Sequence, residues 1–174
     1  IIAPVISGMA KEGCPYTGIL YAGIMLTESG PKVIEFNCRF GDPETEVILP
    51  LFEGDLYDAF MASINGTVDS LTIPECRGAA ATVVLASGGY PDAYEKGKVI
   101  LGIDNAEKCG TTVFHAGTRK ENGQILTTGG RVLNVVGKAD TLEKAIAKAY
   151  EGVKLISFDK MQFRTDIGKK GVIK

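Results

Sequence analysis

The sequence predicts an α+β fold built from antiparallel strands and helices. Three observations carry this. Residues 18–26 and 32–40 are strand-like runs on either side of Thr27-Glu28-Ser29-Gly30-Pro31, the pattern of an antiparallel hairpin. Helix punctuation is written at Asp55 and Asn65-Gly66, and again at Asp140-Thr141-Leu142-Glu143. Between residues 98 and 137, short strand-like runs are separated by glycine turns.

Taken in order, residues 1–12 place Ile2, Val5, Ile6 and Met9 at helical spacing, with Pro4 tolerated in the first turn and a stop at Glu12-Gly13-Cys14-Pro15. Gly18 to Leu26 reads as a strand. So does the run through Phe40, in which Ile34, Phe36, Cys38 and Phe40 form an apolar row and Glu35, Asn37 and Arg39 a polar one. Asp42 and Pro43 read as the N-cap and first residue of a helix that breaks near Pro50. A second helix, capped by Asp55, is expected to bury Leu56, Ala59, Phe60 and Ile64 and to stop at Asn65-Gly66. Residues 67–77, with Pro74, are irregular and suit a domain boundary. Gly78 to Ala86 has the small-apolar run of a buried strand, and residues 87–91 a loop. Strands follow near 98–103, 111–117, 124–127 and 131–137, with a hairpin signal at Asn122-Gly123. The capping box at 140–143 opens a helix to about Lys154, with Leu142, Ala145, Ile146, Ala149, Tyr150 and Val153 on one face. A short strand near 161–164 ends the fold.

Bulk properties narrow the function. A net charge of −2 and the lack of a long basic run argue against nucleic acid as a partner. No apolar run approaches the ~18 residues of a membrane span. The four cysteines lack CxxC spacing and are expected to be small core residues in a reducing cytoplasm. The one histidine, His115, excludes a His-rich zinc site and is expected to be a structural hydrogen-bonder. The chain opens Ile-Ile and reads as helix at once, so a piece of a longer protein is expected.

The polar row Glu35, Asn37, Arg39 places a carboxylate, an amide oxygen and a guanidinium about 7 Å apart along one strand face. Two readings stand: a solvated face with Glu–Arg pairing, or hard oxygen ligands and a fixed cation serving a magnesium-phosphate site. The wider run Glu35-Phe36-Asn37-Cys38-Arg39-Phe40-Gly41-Asp42-Pro43-Glu44 resembles the signature of the glycinamide ribonucleotide synthetases (phosphoribosylamine–glycine ligases), which are ATP-grasp enzymes. Gly18-Ile19-Leu20-Tyr21-Ala22-Gly23, Gly89-Tyr90-Pro91, Phe114-His115-Ala116-Gly117-Thr118, Gly129-Gly130-Arg131-Val132-Leu133 and Arg164-Thr165-Asp166-Ile167-Gly168 agree, in the family's order.

The resemblance implies that residues 1–76 are the second half of an ATP-grasp unit with the metal-binding hairpin, and residues 77–174 a C-terminal α+β domain. It implies a ligase of purine biosynthesis that joins glycine to 5-phosphoribosylamine through a glycyl phosphate, releasing ADP and phosphate. It further implies ATP as co-substrate, Mg²⁺ or Mn²⁺ held by Glu35 and Asn37, and the missing N-terminal part of the enzyme as partner. Arg39 is expected to be catalytic, on the transferring phosphoryl group. Asp42 and Glu44 are expected to orient glycine or the amine. Two alternatives remain: a non-catalytic folding or interaction module, or an ATP-grasp ligase for another carboxylate. One departure is visible. Many ATP-grasp enzymes carry a second metal-binding acid on the preceding strand, and Tyr21-Ala22-Gly23-Ile24-Met25-Leu26 has none.

Overall fold

The computed structural model describes residues 1–172. In chain order its elements begin with α1 (Ile2–Lys11), β1 (Tyr21–Thr27), β2 (Gly30–Asn37), α2 (Thr45–Ile48) and α3 (Leu56–Asn65). They continue with β3 (Ala79–Ser87), β4 (Val99–Ile100), α4 (Ile103–Lys108), β5 (Thr112–His115), β6 (Thr118–Glu121) and β7 (Gln124–Thr127). The last are β8 (Arg131–Ala139), α5 (Leu142–Val153) and β9 (Met161–Gln162). One compact unit comprises residues 1–44 and 53–75; the other comprises residues 45–52 and the chain from Cys76 onward. The mixed helix content and antiparallel sheets agree with the predicted α+β class.

In the first unit, β1 and β2 form the expected antiparallel hairpin, closed where the Thr27 hydroxyl donates to Gly30 O at 2.7 Å. Three expectations fail here. The apolar row of β2 is not buried: Ile34 is 64% exposed and Phe36 39%. The hairpin register pairs Gly23 with Glu35 and then Ile24 with Val33, so Ile34 is a bulge residue that breaks the period-two alternation. The strand also ends at Asn37, and Cys38-Arg39 is a bend. Second, no helix starts at Asp42-Pro43. That peptide is cis, residues 42–44 form a turn, and α2 begins at Thr45, running into a 3₁₀ turn that contains Pro50. Third, α3 is capped as predicted, Asp55 accepting from Tyr57 N and Asp58 N and Gly66 closing it at φ 67°, but its stripe is displaced. Ala62 is the buried residue, while Ile64, roughly 200° further round the helix, is 67% exposed.

The second unit has a four-stranded antiparallel sheet in the order β5-β8-β3-β9 and a three-stranded sheet in the order β4-β7-β6. The pairs Val83↔Val135 and Leu85↔Leu133 face α5, which contributes Ala149 and Val153 to the same cluster. Gly137 explains how close the helix comes: a Cβ there would strike Ala145 O and Ala149 N. On the other sheet face Asn134, 1% exposed, donates to Glu46 Oε1 of α2 at 3.4 Å.

The cap of α5 is Thr141, which accepts from Lys144 N, one residue along from the expected box. Two elements had no readable pattern. Strand β6 is Thr-Arg-Lys-Glu, polar throughout, and α4 is six residues long with only Ala106 buried. The cysteines are not core residues: Cys14, Cys38 and Cys76 are exposed and Cys109 is half-buried, all as free thiols.

Candidate metal and phosphate site

The end of β2 sets the site. Glu35 and Asn37 lie two residues apart beyond the bulge, and Asn37 Nδ2 donates to Glu35 Oε1 at 2.9 Å. The two side chains therefore lie together on one side of the hairpin. That bond uses one carboxylate oxygen and the amide nitrogen, so the other carboxylate oxygen and the amide oxygen are the hard donors of the pair. Gly23, opposite Glu35, makes room for it: a Cβ at Gly23 would sit 3.2 Å from Glu35 Cγ. Glu35 is exposed and Asn37 half-buried, so solvent and ligands can reach them.

Glu44 reaches this neighbourhood by folding back over Gly41, which is buried and whose Cβ would collide with the Glu44 carboxylate. The Tyr21 hydroxyl donates to Glu44 Oε1 at 2.9 Å. That bond, then burial, then the charges of Glu44 and Glu35 push the Tyr21 phenol above its ordinary range. Tyr21 was not singled out from sequence, although the hairpin register, which pairs it with Asn37, was the signal that could have found it.

Arg39 does not continue the polar row. It lies past the strand end, and its Nη1 donates to Phe40 O at 2.8 Å. The expected shared face of Glu35, Asn37 and Arg39 thus reduces to Glu35 and Asn37, because regular pairing stops at Asn37. Asp42 is exposed in the turn with the cis peptide. Among the described residues no three His, Cys, Asp or Glu side chains converge as a metal-ligand group. His115 lies outside this unit, with Nδ1 2.9 Å from the Thr118 hydroxyl.

Comparison with known proteins adds the family. The sequence model of the phosphoribosylglycinamide synthetase C domain matches residues 80–170, and that of the same enzyme's ATP-grasp (A) domain matches residues 1–45. The chain belongs to the phosphoribosylglycinamide synthetase family. The resemblance read from residues 35–44 holds. Phosphoribosylamine–glycine ligase of Neisseria meningitidis is 51% identical over 174 residues, covering 99% of the chain and 41% of the relative. The human trifunctional purine biosynthetic protein adenosine-3 is 47% identical, covering 99% of the chain and 17% of the relative. The crystal structure of phosphoribosylamine–glycine ligase from Thermotoga maritima superposes with a TM-score of 0.78 at 40% identity, covering 92% of the chain and 39% of that structure. N5-carboxyaminoimidazole ribonucleotide synthetase from the same organism, at 18% identity and a TM-score of 0.56, shares the fold. The chain spans about two fifths of the single-function ligases it matches. Among the described residues no helix is long and apolar enough to cross a membrane.

Proposed function

We propose that the chain is part of a cytoplasmic, ATP-dependent carbon–nitrogen ligase that joins glycine to 5-phosphoribosylamine in purine biosynthesis. Residues 1–76 are read as the second half of its ATP-grasp unit and residues 77–174 as its C-terminal domain. An oxygen of glycine's carboxylate attacks the γ-phosphorus of ATP and ADP leaves. The amine nitrogen then attacks the carbonyl carbon of the glycyl phosphate, loses a proton, and expels phosphate. The observation that carries the reading is the Glu35–Asn37 pair, two hard-oxygen side chains bonded at 2.9 Å, inside a chain of this family. Free cysteines suit a reducing compartment.

The donor set fits Mg²⁺ or Mn²⁺, which take few protein oxygens and complete their shell with water and phosphate. Glu35 and Asn37 would hold the ion, which when bound neutralises charge on the nucleotide phosphates. Arg39 supplies a planar fork for the transferring phosphoryl group once released from Phe40 O. Glu44, anchored by Tyr21, and Asp42 orient the ammonium of glycine or the incoming amine. The rest of the enzyme is the partner that completes ATP binding, so the isolated chain should be silent.

The test uses the whole enzyme. Glu35→Gln should lower formation of glycinamide ribonucleotide by about 100-fold or more, and Mn²⁺ binding followed by EPR should weaken with it. Unchanged turnover and unchanged Mn²⁺ affinity would remove Glu35 from the site. Arg39→Lys should lower turnover with little effect on Mn²⁺ affinity.

A further inference from the structure

We propose that the face of the four-stranded sheet covered by α2 holds a monovalent metal cation, Na⁺ or K⁺, with Glu46, Asn134 and Thr82 as its protein ligands. The site is separate from the Glu35–Asn37 pair and does not depend on the ligase reading.

Strand register brings the ligands together. The pairs Val84↔Asn134, Thr82↔Val136 and Ala80↔Lys138 lie on one face of β3 and β8, opposite the face that Val83, Leu85 and Val135 turn toward α5. The segment of α2 and its 3₁₀ turn crosses this face. At one end Asn134 Nδ2 donates to Glu46 Oε1 at 3.4 Å, and at the other Lys138 Nζ donates to Pro50 O at 2.8 Å. Thr82 stands opposite Val136, between those two anchor points, so the segment passes over it and covers its hydroxyl. Asn134 and Thr82 are diagonal neighbours, their Cβ atoms within about 7–8 Å. Their side-chain oxygens narrow that gap to one that a single ion can bridge.

Among the described residues, the buried side-chain oxygens left without a hydrogen-bond partner are Glu46 Oε2, Asn134 Oδ1 and Thr82 Oγ1. All three lie on this one face. Asn134 is 1% exposed and is flanked in register by Val84 and Phe114, neither of which offers its Oδ1 a donor. Buried polar atoms are almost always paired, and leaving one unpaired is costly.

The chemistry of the set selects the occupant. A water molecule would satisfy lone pairs but leave the carboxylate charge buried, which is the more expensive fault. Lys138 does not cancel that charge. It lies four residues from Asn134, about 13 Å along β8, and its ammonium is committed to Pro50 O. One positive ion balances one carboxylate. A divalent ion would leave an excess charge in the same place, and Mg²⁺ in addition gives up its water reluctantly. Oxygen-only donors do not suit the metals that favour sulfur or imidazole.

The experiment follows the Asn134 side-chain amide by NMR in the 174-residue chain while tetramethylammonium chloride is replaced stepwise by NaCl or by KCl at constant ionic strength. Tetramethylammonium is too large to enter. A saturable shift is expected, with a thermal midpoint that rises along with it, and the ion that saturates first is the occupant. Thr82→Val should weaken binding about fivefold, the value of one polar contact. Glu46→Gln should abolish the shift and show the same midpoint in all three salts; in tetramethylammonium, where the carboxylate has no ion, it should melt above the unaltered chain. Glu35→Gln should leave the titration unchanged. Failure of both alkali ions to saturate, an unaltered response in Glu46→Gln, or tighter binding of MgCl₂ or CaCl₂ at the same amide would overturn the proposal. If Glu46→Gln does not fold, the ion replacement on the unaltered chain still decides the matter. None of these results bears on turnover by the whole enzyme, so the ligase reading and this site stand or fall separately.

Discussion

The hairpin unit and the sheet unit solve different problems with similar proportions of apolar sequence. In the sheet unit, Val83, Leu85, Leu133 and Val135 are at most 1% exposed and pack under α5. In the hairpin unit, Ala62 is the one buried apolar side chain among the described residues, while Leu26 is 84% exposed and Met25 54%. Order in the hairpin unit comes instead from directed bonds: the β1–β2 ladder, the Asp55 cap, the Tyr21–Glu44 and Asn37–Glu35 contacts. The candidate metal pair is thus carried by the unit with little core. A site on such an element owes its geometry to hydrogen bonding and to whatever packs on it.

That contrast can be broken experimentally. Leu133→Ala should cost the sheet unit about 2–5 kcal/mol in a denaturant melt, whereas Leu26→Ser in the hairpin unit should shift its melt by less than about 0.5 kcal/mol. Equal effects would end the distinction. Next in size is Gly137→Ala, expected to cost about 1–3 kcal/mol because the new methyl meets the backbone of α5. In the hairpin unit the comparable sensitivity should sit at a cap: Asp55→Ala should cost about 1 kcal/mol, and Ile64→Ser close to nothing.

A smaller, opposite effect is expected at Glu46. Its Oε2 and the Asn134 Oδ1 are buried without a hydrogen-bond partner. Glu46→Gln adds an N–H₂ donor facing that amide and should raise the melting midpoint by the equivalent of about 1 kcal/mol. A lower midpoint would show that the carboxylate is needed there.

The smallest effect is acid sensitivity. Lys160 first, and Lys98 with it, hold the Glu95 carboxyl down to about 2 from an ordinary 4.5. A lowered carboxylate contributes stability that is full above its unfolded value and is lost as pH falls through its folded one. Protease resistance of the loop around Glu95 should therefore decline between about pH 4.5 and 2, modestly because both contacts are solvent-exposed. Glu95→Gln should remove that dependence.

The difference between the units also governs how much was legible. Asp55, Gly66 and Thr141 act through local bonds, so their helix limits could be read within one residue. Strand β3 was readable because one face is buried and the other is half-buried or better, so its small apolar residues run on without a polar row. The hairpin was found, but its buried face was assigned by alternation, and one inserted residue at Ile34 cancels alternation without altering composition. Glu35 and Asn37 were accessible because residues i and i+2 share a side whatever the partner strand does. Arg39 was misplaced because nothing local marks where ladder pairing stops. Tyr90, Gln162 and Tyr150 carried no signal as anchors, since their bonds join segments 14 to 72 residues apart, such as Tyr150 with Arg164 and Tyr90 with Gln162.

Gly41 has one more consequence. Strand β1 encodes no acid of its own, yet its tyrosine holds a carboxylate from a residue 23 positions downstream, delivered because Gly41 presents only a hydrogen to the returning chain. The hairpin borrows an oxygen that its own letters do not spell. A tally of acids strand by strand would score this one as empty, and a methyl group at position 41 would make that tally true.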